Sequence, residues 1–232
     1  VLLTIGVPFD RALVPQLREI APGLEILDMA GNVERLPMST TGWRVDRRGR
    51  VESGHAGHDH GGDGEHPEGA LDPHVWLDPA RVSLLAGTVR DALCDRSPEH
   101  CDLYDDNLAA YRHDLEAVDR RIRDRLQRHS GREICVFHPA YGYFTERYGL
   151  RQIAVEVEGK RPSPRQLAAL IETFEGTGIG AIFVQPQFNS RSADAVAKAI
   201  GADVVELDPL AADLLENLER MAERIAEALS PR

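Results

Sequence analysis

The chain has 232 residues, 42% hydrophobic and 28% charged, with a formal net charge of −11 at pH 7. These are the proportions of a globular protein large enough for one large domain or two small ones. The acidic excess argues against nucleic acid and anionic membrane surfaces as partners, and no run of about 18 apolar residues is present to cross a bilayer as a helix.

Residues 1–7, Val-Leu-Leu-Thr-Ile-Gly-Val, read as a buried strand. No charged leader, apolar core and cleavage site precede them, so the expectation is a chain that has lost residues upstream, with no export signal to read. Ala12, Leu13, Leu17 and Ile20 fall at helical spacing within 10–20, and 24–29 reads as a second strand. Residues 31–71 lack periodicity and are rich in Gly, charge and His. A stretch that long without structure is functional or disordered in most proteins.

Asp78-Pro79 then fits a helix cap followed by proline at the first helical position, with the helix continuing through Val82, Leu85, Val89 and Leu93. Ser97-Pro98 repeats the start signal. From there to His129 there is neither Gly nor Pro, and Tyr104, Leu108, Tyr111, Leu115, Val118, Ile122 and Leu126 form an apolar stripe. About 32 helical residues make a rod of roughly 48 Å, too long for the inside of one small domain and suited to joining two lobes.

After Gly131 strands alternate with helices: strands over 133–137, 152–157, 181–184 and 204–207, helices over 141–148, 164–174, 193–200 and 210–229. That succession predicts a parallel sheet covered by helices, with function beyond the carboxyl ends of the strands. The fold class is therefore α/β, with residues 1–96 as a first lobe carrying a His-rich loop (54–71), 97–130 as the linking helix and 131–232 as a C-terminal lobe.

Cys94 and Cys101 flank a short connection between two predicted helices. They either close a small disulfide loop, worth roughly 2–3 kcal/mol and fitting an oxidising compartment, or remain two thiols. Cys135 sits in an apolar run and reads as core.

The chemistry concentrates in histidine. Five of the nine histidines, His55, His58, His60, His66 and His74, lie within twenty residues, and neutral imidazole is the commonest ligand for zinc-like metals. His138 follows one predicted strand and Asp208 another, while His74 precedes a helix start. Prolines 73, 139 and 209 stand beside all three and stiffen their neighbours. Taken singly, a histidine after a strand is commonly a hydrogen-bonded turn residue and an aspartate before proline a helix cap. Together, two histidines and one aspartate at sheet tips point to a shared metal site.

Six stretches then carry a resemblance: Thr4-Ile5-Gly6-Val7-Pro8-Phe9, the octapeptide Asp72–Pro79 (DPHVWLDP), residues 136–144 (VFHPAYGYF), 158–164 (EGKRPSP), 184–188 (VQPQF) and Leu207-Asp208-Pro209-Leu210. With them the chain resembles the metal-binding receptors of bacterial ABC importers for zinc and manganese, the zinc branch in particular. The resemblance implies two α/β lobes joined by one long rigid helix, the metal between the lobes, and His74, His138 and Asp208 as ligands. It implies an extracytoplasmic, periplasmic, monomeric receptor that passes Zn²⁺ to a membrane permease and catalyses nothing. The family supplies one further histidine upstream of Val1, so the first lobe is expected to be incomplete here. Manganese-type members carry a carboxylate at the position of His138, which favours zinc. His55, His58, His60 and His66 fit the His- and acid-rich insertion of zinc receptors and are expected to bind extra metal weakly.

The competing readings are a receptor for manganese or another divalent metal, an adhesin on the same scaffold, and a zinc hydrolase. Hydrolysis needs a base and an open coordination position. The chain has no HExxH, no CxxC and no Gly-rich phosphate loop, and Glu156 and Glu158 read as a strand and its turn rather than as bases.

Overall fold

The computed structural model describes residues 1–38, 43–45, 51–53, 71–156, 163–175, 179–187 and 191–230. By its contacts the chain divides into two units, Val1–Arg35 with Pro73–Arg120 and Leu36–Asp72 with Arg121–Arg232.

In the first unit β1 (Leu2–Thr4) pairs in parallel with β2 (Ile26–Asp28), Leu2 opposite Ile26. Between them runs α1 (Pro8–Ile20), which has no buried residue. The turn into α1 is closed by Asp10, whose carboxylate accepts the backbone N–H groups of Ile5, Gly6 and Val7 at 2.9, 2.9 and 3.2 Å. Gly6 has φ +81°, and the Arg35 guanidinium occupies the space its Cβ would need. Arg35 donates to the Ile5 carbonyl at 2.6 Å.

Helix α2 (Pro79–Arg96) starts as its sequence dictates. Asp78 accepts the Ala80 N–H at 2.8 Å and pairs with Arg81 at 2.5 Å, while Pro79 opens the helix. Cys94 and Cys101 are joined by a disulfide, Cα–Cα 4.9 Å, between the end of α2 and the start of α3 (Cys101–Leu126). The expected single long helix is a 26-residue α-helix, about 39 Å long, flanked by tight 3-10 turns at Pro98–His100 and Gln127–His129. Such turns are common at helix ends, where backbone partners run out. Its buried positions, Leu108, Leu115, Val118, Ile122 and Leu126, are those of the sequence stripe.

The second unit contains a four-stranded parallel sheet in the order β6-β5-β7-β8: β5 (Glu133–Val136), β6 (Arg151–Ala154), β7 (Ala181–Val184) and β8 (Asp203–Glu206). Between these strands come α4 (Gly142–Arg147), α5 (Pro164–Phe174, capped by Ser163) and α6 (Arg191–Ile200), and α7 (Leu214–Leu229) ends the chain. One core cluster joins Cys135, Phe137, Ile153 and Ile182 to Leu170 and Phe174 of α5 and Val196 of α6. All four residues of β7 are buried, the near-continuous apolar run of a strand covered on both faces.

The division by contacts differs from the sequence reading in two places. Residues 36–72 group with the second unit, not with the first lobe. The Tyr143 hydroxyl accepts the Leu36 N–H at 3.0 Å and donates to the Asp72 carbonyl at 2.9 Å, so one side chain holds both ends of the segment. Within it β3 (Trp43–Val45) and β4 (Val51–Ser53) form an antiparallel pair beside α5, in a stretch the sequence left without structure. The boundary between units also falls inside α3, at Arg120/Arg121, rather than at its ends. Among the described residues, no helix is long and apolar enough to cross a membrane.

Candidate functional site

The order β6-β5-β7-β8 places the reversal of strand order between β5 and β7, and open parallel sheets bind ligands outside the carboxyl ends of their strands at such a point. His138 stands there, two residues beyond β5. Its Nδ1 lies 2.5 Å from a carboxylate oxygen of Glu156, which follows β6. Its carbonyl accepts the side-chain N–H of the buried Gln185, the residue after β7, at 3.0 Å.

Asp208 follows β8, two strands away from β5, about 10 Å between strand axes. The sequence allowed a helix-capping role for Asp208. The structure gives that role to Asp213, whose carboxylate accepts the Glu216 N–H at 3.1 Å and which caps α7 at Leu214 rather than near Leu210. Asp208 instead closes a short turn. Its Oδ1 accepts the Leu210 N–H at 2.9 Å and the Gln187 amide at 2.7 Å, and its carbonyl accepts the Asn217 amide at 2.7 Å.

Tyr141 connects the two tips. It sits three residues after His138, fully buried, and its hydroxyl donates to the carbonyl of Leu207, next to Asp208, at 2.8 Å. Its backbone N–H donates to Gln152 of β6 at 3.1 Å. Burial first, and the Asp208 charge second, push the phenol well above its ordinary range, so Tyr141 remains a hydrogen-bond donor at any physiological pH.

His74 belongs to the first unit. It precedes the 3-10 turn Val75–Leu77 that leads into α2, and its ring meets Trp76 edge-on at 5.3 Å. Among the described residues, no three His, Cys, Asp or Glu side chains gather around one point. His55, His58, His60, His66 and Glu158 lie outside the described residues. The residues that sequence reasoning gave no role beside His138 and Asp208 are Tyr141, Gln185 and Glu156, the last of which it read as part of a strand. The register explains the meeting of Glu156 with His138: in the parallel pair with Val136 opposite Ala154, the residue two beyond each strand end is His138 on one and Glu156 on the other.

A family model described as the periplasmic component A of the zinc-uptake complex, ZnuA, matches residues 1–228. The chain belongs to the ZnuA family. The chain is 32% identical to the zinc-binding lipoprotein AdcA of Streptococcus pneumoniae over 155 residues, covering 66% of this chain and 30% of that protein. With the high-affinity zinc uptake protein ZnuA of Brucella abortus it shares 32% over 149 residues, 63% of this chain and 44% of the relative. It therefore spans less than half the length of either. Among solved structures, a crystal structure of ZnuA superposes with a TM-score of 0.82 at 33% identity, over 98% of this chain and 79% of the other. The α/β fold with parallel sheets and a long helix is that of the ZnuA-type, two-lobed structures.

Proposed function

We propose that this chain is the metal-binding portion of an extracytoplasmic receptor that captures Zn²⁺ and delivers it to the membrane permease of an ABC importer. His74 from the first unit and His138 and Asp208 from the second are the proposed ligands. The observation that carries the reading is the pair of sheet tips in the second unit. His138 stands at the strand-order reversal, Asp208 is relieved of helix capping, and Tyr141 ties the two turns together. A metal site needs donors held to within a few tenths of an ångström, and these turns are stiffened by Pro139, Pro209 and buried hydrogen bonds.

Two imidazoles and a carboxylate suit zinc, with water able to complete a tetrahedron. Manganese prefers more oxygen, whereas nickel and copper compete for the same donors. The disulfide fits an oxidising compartment, in keeping with the periplasmic description of the family. A receptor calls for no chemical step. The stretch with His55, His58, His60 and His66 is proposed on composition alone to take up further zinc weakly.

The test is zinc affinity by chelator-competition calorimetry on the full chain. His138→Ala and Asp208→Ala are each expected to lower it at least about tenfold by removing a donor atom, with no turnover of ester or amide substrates by the parent. Unchanged affinity in both variants overturns the ligand assignment.

A further inference from the structure

We infer that Glu156 is a positioning residue for His138: its carboxylate selects the ring nitrogen that meets a cation and strengthens that nitrogen as a donor. This rests on His138 being a zinc ligand, as proposed above.

The geometry follows from the sheet. Glu156 donates its backbone N–H to the Phe137 carbonyl at 2.9 Å, which extends the β5–β6 ladder past the strand ends. That places its side chain beside the imidazole, with Nδ1 and the carboxylate oxygen 2.5 Å apart. The Glu156 side chain is only 7% exposed and that of His138 23%. A carboxylate accepts and cannot donate, so Nδ1 is the ring nitrogen that carries a proton toward Glu156, and in the neutral ring the lone pair is then on Nε2. The neighbours of β5 thus hold His138 in two ways, β6 through the ring by Glu156 and β7 through the backbone by Gln185.

Charge gives the arrangement a purpose beyond packing. Burying a carboxylate is costly unless it is paired and hydrogen-bonded. Two neutral imidazoles and Asp208 leave one positive charge of a bound dication uncompensated. Glu156 behind the ring supplies the second negative charge without occupying a coordination position. An imidazole that donates to a carboxylate is a more basic ligand, and loss of such an outer partner typically costs 10–100-fold in metal affinity.

The test measures zinc affinity by chelator competition for the full chain, Glu156→Ala, Glu156→Gln and His138→Ala. The ¹⁵N shifts of the His138 ring in the zinc-free protein give a second readout. Glu156→Ala is expected to weaken zinc about 10–100-fold and to turn a single Nδ1-protonated tautomer into a mixture. Glu156→Gln, which can accept the same hydrogen bond without the charge, is expected to lose less. If the alanine variant does not fold, the glutamine variant and its ring shifts decide. Affinity within twofold of the parent, or a loss with the tautomer unchanged, overturns the role of Glu156. His138→Ala separates the two levels: its loss of affinity beside an unaffected Glu156→Ala removes only this inference, whereas unchanged affinity in both removes the ligand assignment itself.

Discussion

The two units of this chain fix their histidines by different means. In the second unit His138 and Asp208 extend from a four-stranded sheet whose strand β7 is buried along its whole length. In the first, β1 and β2 form a two-stranded sheet and α1 buries none of its residues, and two strands alone are marginal in water. There His74 precedes local devices that set the start of α2, the Asp78 cap and Pro79, while a disulfide fastens the far end of that helix to α3. A sheet core positions residues through contacts distant in sequence. A capped helix start does so through its own few residues.

The largest expected effect tests the packing side of that contrast. Phe174, 1% exposed, lies in the core of the second unit, while Phe9 on α1 is 68% exposed. Truncation of a buried phenylalanine costs about 3–5 kcal/mol, through lost transfer energy and the cavity left behind. Phe174→Ala is therefore expected to lower denaturant stability by that amount, and Phe9→Ala by less than about 0.5 kcal/mol. Comparable losses from both would mean that α1 is buried in solution and would erase the difference.

An intermediate effect comes from the covalent side. Replacing Cys94 and Cys101 by serine opens a loop with a sequence separation of 7, and chain entropy predicts a loss of about 2–3 kcal/mol. Hydrogen exchange is expected to show it as faster opening of α2, with β5 and β7 unchanged. Equal acceleration in β5 and β7 would show that the two units unfold as one.

The smallest effect reports on the central strand. Burial alone pushes the Cys135 thiol from 9.0 up to about 12. Its folded pKa lies above the unfolded one, so the stability it contributes is complete below pH 9.0 and is lost as pH rises toward about 12. In the native chain at pH 8 a thiol reagent is expected to find no reactive cysteine, and one after unfolding with the disulfide intact. Rapid native labelling would show β5 opening locally, which would weaken the case that its tip is a rigid mount.

The elements themselves were largely legible in the sequence. The period of the apolar residues placed α5, and a continuous apolar run placed β7, over the residues observed, and the Asp78 cap marked a true helix start, because such signals act over one or two turns of chain. Asp208 shows where local reading gave out. Asp208 precedes the predicted helix 210–229 and Asp213 lies within it, and only the observed hydrogen bonds assign the cap to Asp213. The short strands β3 and β4, Trp-Arg-Val and Val-Glu-Ser, were missed because they lie in a Gly- and charge-rich stretch without the apolar runs that marked the equally short β1 and β2.

The sequence by itself determined the α/β succession and the long apolar stripe of α3, and it nominated His74, His138 and Asp208 as the proposed ligands, since periodicity, capping and residue chemistry are written locally. Tertiary structure alone decided the strand order, the placement of 36–72 with the second unit, and the meetings of Tyr141 with Leu207 and of Glu156 with His138. Those depend on which distant segments share a sheet edge or a buried hydroxyl, and that choice is set by the packing of the whole core rather than by any neighbourhood along the chain.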